Sequence, residues 1–220
     1  MNKNPIKIAV IDSGYKPDHE LLIKDKKDFT ESGSCIDKIN HGSDVVDCII
    51  NTNPSVQIYC AKIFDRNNTR IKNLLEALKW IIDLEVDIVN MSFGTDKFHI
   101  EAANLFNSLH RKNIHLVASS PSIGATVYPA SFDNVISVTG DARCNVNEFS
   151  IQPSTQADYG SSPRNDSVKS AGSSIATANF TGIIANLFES SGQIPLPGDL
   201  EFFLNKHTKI HNPQAYPRNN

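Results

Sequence analysis

Apolar residues along this chain fall into short continuous runs that alternate with longer stretches of helical spacing. Residues 6–11 form a β-branched run that stops at Asp12-Ser13-Gly14. That is the pattern of a central strand ending at the carboxyl edge of a parallel sheet. Residues 56–64, 86–94, 114–118 and 135–138 read in the same way. Between them, residues 44–50, 70–84 and 98–111 place their apolar side chains on one side of a helix. Strands alternating with helices predict an α/β fold, a doubly wound, mainly parallel sheet flanked by helices on both faces. Residues 15–40 are polar and irregular, with a turn at Pro17-Asp18, and residues 141–171 read as loops with room for one short strand. Residues 199–207 suit a last helix. We expect a single domain over residues 1–207 and a loosely held tail over 208–220, where Pro213 and Pro217 fall.

One stretch joins this pattern to chemistry. Gly172-Ser173-Ser174-Ile175-Ala176 opens a run of small and apolar residues, among them Ala178, Phe180, Gly182, Ile183, Ile184 and Ala185. The spacing is that of a buried helix with small residues where it passes close to a neighbour. Ser174 then lies at the helix N-terminus, where open N–H groups and the helix dipole favour a developing oxyanion. By itself the stretch reads more simply as an N-cap. Upstream, however, stand Asp12 at a strand end and His41 at a helix start. A carboxylate to orient an imidazole, an imidazole to take a proton and a hydroxyl to attack are what nucleophilic acyl transfer requires. Their order is Asp, His, Ser.

The local motifs around these residues resemble those of the subtilisin-like serine proteases, or subtilases. Asp12-Ser13-Gly14 follows Ile-Ala-Val-Ile, and Pro17-Asp18-His19 comes shortly after it. His41-Gly42-Ser43-Asp44-Val45-Val46 is similar to the family's His-Gly-Thr-x-Val-Ala, and the Ser174 stretch to Gly-Thr-Ser-Met-Ala. Asn90-Met91-Ser92-Phe93-Gly94 and Tyr128-Pro129-Ala130, followed by residues 134–138, complete five matches in register across residues 6–188. The resemblance implies a subtilisin-like fold and a serine endopeptidase with Asp12, His41 and Ser174 as its triad. It also implies an extended peptide or protein substrate pairing as a strand with Ser92, Phe93 and Gly94 on one side and Ala118, Ser119 and Ser120 on the other.

Two departures bear on that reading. The family's Gly-Asn, whose asparagine donates to the oxyanion, is replaced by Ser119-Ser120-Pro121-Ser122. Pro121 lacks even an N–H. The remaining oxyanion candidates are the Ser174 N–H and the hydroxyls of Ser120 and Ser122. Where the family commonly has Pro-His after the serine, this chain has Ala178-Asn179, which a helix tolerates. The rival reading from another class is a catalytically weak or silent module that only binds extended peptides. A nucleotide-binding domain fits poorly, because no Gly-x-Gly-x-x-Gly or phosphate-loop lysine pattern is present.

Composition narrows the partners. A net charge of −3 over 220 residues gives no basic footprint for nucleic acid or an anionic membrane. No apolar stretch reaches the length of a membrane span. Cys35, Cys48, Cys60 and Cys144 are far apart and without zinc-ligand spacing, so we expect free thiols in the cytoplasm. No metal ligand set or cofactor motif stands out, and neither a leader nor a propeptide is visible, which points to an intracellular processing enzyme. The other histidines, His19, His99, His110, His115, His207 and His211, are expected to serve packing or the surface.

Overall fold

The computed structural model describes residues 4–65, 69–152, 156–208 and 210. They form an eight-stranded sheet of β1 (Lys7–Asp12), β2 (Ile23–Asp28), β3 (Gln57–Lys62), β4 (Ile88–Met91), β5 (His115–Ser119), β6 (Ile136–Gly140), β7 (Phe149–Ile151) and β8 (Tyr159–Ser161). The order across the sheet is β2-β3-β1-β4-β5-β6-β8-β7. Every neighbouring pair is parallel except β7 with β8.

Helices cover both faces, as the sequence predicts. β1 shows why. Ile8 and Val10 belong to one core cluster, with Val45, Val46 and Ile49 of α1 (His41–Thr52) and Ile175, Phe180 and Ile184 of α4 (Ser173–Ser191). Ala9 and Ile11 point to the other cluster, with Leu75 and Leu78 of α2 (Ile71–Ile82) and Phe106 of α3 (Ile100–Arg111). A strand buried on both faces has no polar positions to alternate with, so it appears in the sequence as a continuous apolar run.

Two segments differ from expectation. The polar stretch 15–40 contains a 3-10 helix, Pro17–Leu22, and the edge strand β2. That strand carries the lysine run Lys24, Lys26 and Lys27, all exposed. An edge strand needs only backbone pairing on one side, here to β3, so its charged side chains give no strand signal and blunt the open edge. Residues 141–171 hold two short strands rather than one, paired antiparallel. The last helix, α5 (Leu200–Leu204), is shorter than the expected 199–207. Most of the expected tail lies outside the described residues. At its start, Thr208 donates to the Phe149 carbonyl, and the Ile210 carbonyl accepts from Ile151 N at 2.8 Å.

The chain adds β3 on one side of β1 and then crosses to place β4 on the other. In open α/β sheets the crevice beyond the carboxyl ends of the strands at such a switch point is where sites form. Asp12 ends β1, and Ser92 follows the end of β4.

Candidate active site

Asp12 is 2% exposed. Its Oδ1 accepts from Ser13 N at 2.7 Å and stands 2.8 Å from His41 Nδ1. Proximity to this buried carboxylate raises the His41 pKa above its ordinary 6.5; partial burial opposes the rise without cancelling it. With Nδ1–H given to Asp12, Nε2 carries the lone pair of the neutral ring.

Close backbone packing sets this pair. Gly42 follows His41 into α1, and its N–H donates to Ser13 Oγ at 2.9 Å. A Cβ on Gly42 would lie 2.4 Å from the Gly14 carbonyl oxygen, so only glycine lets α1 come this near the end of β1. Gly14, at φ +117°, has equally little room: a Cβ there would meet the Cys35 carbonyl oxygen at 2.2 Å.

Ser174 is the second residue of α4. Gly172 before it adopts φ 121°, a left-handed conformation that suits glycine. Its N–H donates to the Pro163 carbonyl at 2.8 Å. No side-chain cap closes the helix start, and among the described residues the Ser174 N–H makes no hydrogen bond. The Ser174 hydroxyl donates to the Ser92 carbonyl at 2.9 Å, while the Ser92 hydroxyl donates to the Ser174 carbonyl at 3.0 Å. This exchange ties α4 to the end of β4. Asn90 Nδ2 supports it by donating to Ser92 Oγ at 3.1 Å, and Thr181 Oγ1 holds Asn90 Oδ1 at 2.9 Å. The structure therefore joins His41 to Asp12 directly, whereas the Ser174 hydroxyl is engaged with Ser92 rather than with His41.

A cleft of about 220 Å³ is lined by Asp12, Ser13, Ile39, His41, Phe64, Ser92 and Phe93. Phe64 and Phe93 meet edge to face there, 5.5 Å between centroids. Among the described residues, Phe93 and Gly94 make no backbone hydrogen bond, which leaves a free edge of the kind an extended peptide needs. Ala118 and Ser119 lie in β5, Ala118 paired with both β4 and β6 and Ser119 with β6, and Ser120 N donates to the Val138 carbonyl at 2.8 Å. The Ser120 hydroxyl donates to the Gln156 carbonyl, and Ser122 Oγ sits 2.8 Å from Thr139 Oγ1.

Two groups near the site escaped the sequence reading. Asp37 accepts four hydrogen bonds just ahead of His41. An acidic residue four places before a helix start is the signal that points to it. Lys62, fully buried beside Asp12 in the sheet register, donates to the Ser34 and Ile36 carbonyls at 3.0 Å each. The carbonyls it holds come from a loop distant in sequence, and Asp65, three residues on, stands 3.6 Å from its ammonium. His19 is buried against Asp47 at 2.8 Å, His115 packs in the core, and His211 lies outside the described residues. Among the described residues no three His, Cys, Asp or Glu side chains gather as a metal site, and no helix is long and apolar enough to cross a membrane.

Residues 3–196 match the subtilase family, peptidase family S8. The minor extracellular protease Epr of Bacillus subtilis (strain 168) is 32% identical over 154 residues, 64% of this chain and 24% of that protein. Alkaline elastase YaB of Bacillus sp. (strain YaB) is 24% identical over 207 residues, 82% of this chain and 53% of that protein. The chain thus spans about a quarter of the first relative's length and about half of the second's. Among solved structures, the S41 psychrophilic protease superposes with a TM-score of 0.73 at 18% identity, covering 95% of this chain and 86% of its own. The nisin leader peptidase NisP of Lactococcus lactis superposes with a TM-score of 0.71 at 16% identity, covering 90% and 81%. Both likenesses speak to the fold.

Proposed function

The chain belongs to the subtilase family, and we propose that it is a serine endopeptidase acting through Asp12, His41 and Ser174. The observation that carries this reading is the buried Asp12 carboxylate 2.8 Å from His41 Nδ1, at the sheet edge where Ser174 opens α4. In the reaction Ser174 turns from Ser92 to His41 and gives its proton to Nε2 as Oγ bonds the scissile carbonyl carbon. The negative charge moves to the carbonyl oxygen, facing the open Ser174 N–H and the positive end of α4. Collapse breaks the C–N bond as His41 returns the proton to the leaving amine, and water then releases the acyl group by the same route in reverse.

The substrate is an extended peptide laid along Phe93 and Gly94, with an apolar side chain against Phe64 and Phe93. The small cleft, about 220 Å³, and the missing oxyanion asparagine favour selective processing of one peptide or protein over general digestion. A cytoplasmic setting is supported by the four free cysteines, three of them buried.

One observation favours the silent peptide-binding reading: the Ser174 hydroxyl is held by Ser92. A fluorophosphonate probe separates the two. It is expected to label the wild type and spare Ser174→Ala. Labelling of neither, with peptide binding intact, selects the silent module. Equal labelling of both removes Ser174 from the mechanism.

A further inference from the structure

Asn40, the residue that leads into α1, has a left-handed backbone at φ 68° and makes no side-chain cap bond. The capping work falls to Asp37 instead. Its Oδ1 accepts from Ile39 N at 2.8 Å and Asn40 N at 3.1 Å, and its Oδ2 accepts from Ser43 N and Ser43 Oγ, each at 2.8 Å. These bonds bracket His41 from both sides in sequence. Asp37 is itself anchored to the end of β1. Its N–H donates to the Tyr15 carbonyl at 2.9 Å, and Tyr15 N donates back to the Cys35 carbonyl at 3.2 Å. Beneath the same loop the Lys62 ammonium holds the Ser34 and Ile36 carbonyls.

From this we infer that Asp37 is a positioning residue for His41: its carboxylate locks the 37–43 loop so that His41 Nδ1 meets Asp12. This role rests on His41 being the general base of the proposed reaction. Asn40 fits this arrangement: its left-handed backbone, which asparagine adopts readily, makes the turn that lets the Asp37 carboxylate reach N–H groups on either side of His41.

The electrostatics agree in sign. Burial alone would raise the Asp37 pKa, but hydrogen bonds from Ile39 and Ser43 outweigh it and hold the carboxylate below its ordinary value. It is therefore ionised where His41 titrates. The charged groups acting on His41 are Asp12 from β1, Asp37 from the loop and Asp44 from α1, and all three raise its pKa.

The test compares wild type with Asp37→Asn and Asp37→Ala. It uses the His41 titration followed by NMR at its ring Cε1–H, the downfield His41 Nδ1–H resonance, and pH profiles of kcat/KM on a cleaved peptide. In Asp37→Asn the His41 midpoint and the acid limb of the profile are expected to move together to lower pH. In Asp37→Ala the downfield resonance is expected to weaken and kcat to fall about 10–100-fold with KM little changed, the scale of a small misplacement of a catalytic group. A purely structural cap would lower Tm and leave the midpoint and the resonance in place. That result in a folded variant overturns the inference. Should Asp37→Ala not fold, the Asp37→Asn midpoint decides alone. Because NMR needs no turnover, a shifted midpoint in a protein without hydrolysis would retain the positioning role and discard the protease reading instead.

Discussion

At the scale of single residues, the proposed oxyanion site turns on two serines. A carbonyl only accepts, so the Ser120 proton is committed to Gln156. Ser122 and Thr139 are two hydroxyls sharing one bond, which leaves one proton over. Thr139 is buried and Ser122 half-exposed, so donation by Thr139 frees the Ser122 proton for a developing negative charge. Ser122→Ala is therefore expected to lower kcat about tenfold with little change in KM, the signature of a contact made in the transition state. That is less than the roughly 10²–10³ lost when a full oxyanion donor is removed, because a shared hydroxyl is less firmly aimed than a dedicated amide. Ser120→Ala should stay near wild type. Steady-state kinetics on one peptide decide it, and a wild-type kcat for Ser122→Ala removes Ser122 from the site.

At the scale of elements, the distance between α1 and α4 governs whether His41 and Ser174 can meet. The small-residue run of α4 marks the close approach. A Cβ on Gly182 would lie 2.7 Å from Thr52 Cβ and 2.9 Å from the Ile49 carbonyl oxygen, both on α1. The second contact is backbone, so the helices must part. Gly182→Ala is expected to destabilise the fold by about 1–3 kcal/mol, the usual cost of overpacking, and to lower kcat/KM in the protein that remains folded. Urea unfolding and kinetics at the same temperature check both halves. A variant as stable and active as wild type would mean that the helix gap is not set here.

At the scale of the whole molecule, two histidines pull stability in opposite directions with pH. His115, buried at the start of β5 beside Phe188 and 3.0 Å from the Pro195 carbonyl, has its pKa pushed down to about 4 by burial. Its folded pKa lies below its unfolded one. On acidification the unfolded chain takes the proton first, so stability falls between pH 6.5 and about 4. A gap of that width corresponds to about 3 kcal/mol. His41 has the opposite sign: the stability its raised pKa lends is present below 6.5 and is lost as pH rises through its folded value. Urea unfolding at pH 4 and pH 7 should show a smaller loss at acid pH for His115→Gln than for wild type. An equal loss would show that His115 does not carry this dependence.

The central strands and the four long helices were legible in the sequence, because each rests on local chemistry, and so were Asp12 and His41, which the structure brings together. An apolar run such as residues 6–11 must be buried on both faces, and a glycine beside His41 or before Ser174 is required by a close contact or a positive φ. Where side-chain composition carried no burial signal, as in β2 with its exposed lysines, the sequence was silent and backbone pairing to β3 decided the structure. Lys62 gave no signal either, and Asp37 only its place four residues before a helix start. Their partners are largely backbone groups brought in by loop folding, and backbone N–H and C=O groups are the same for nearly every residue type. Residue types together with the resemblance of their motifs thus singled out Asp12, His41 and Ser174. Only the tertiary structure decided that Asp12 meets His41 while Ser174 rests on Ser92, because those distances are set by how closely α1 and α4 pack against the sheet.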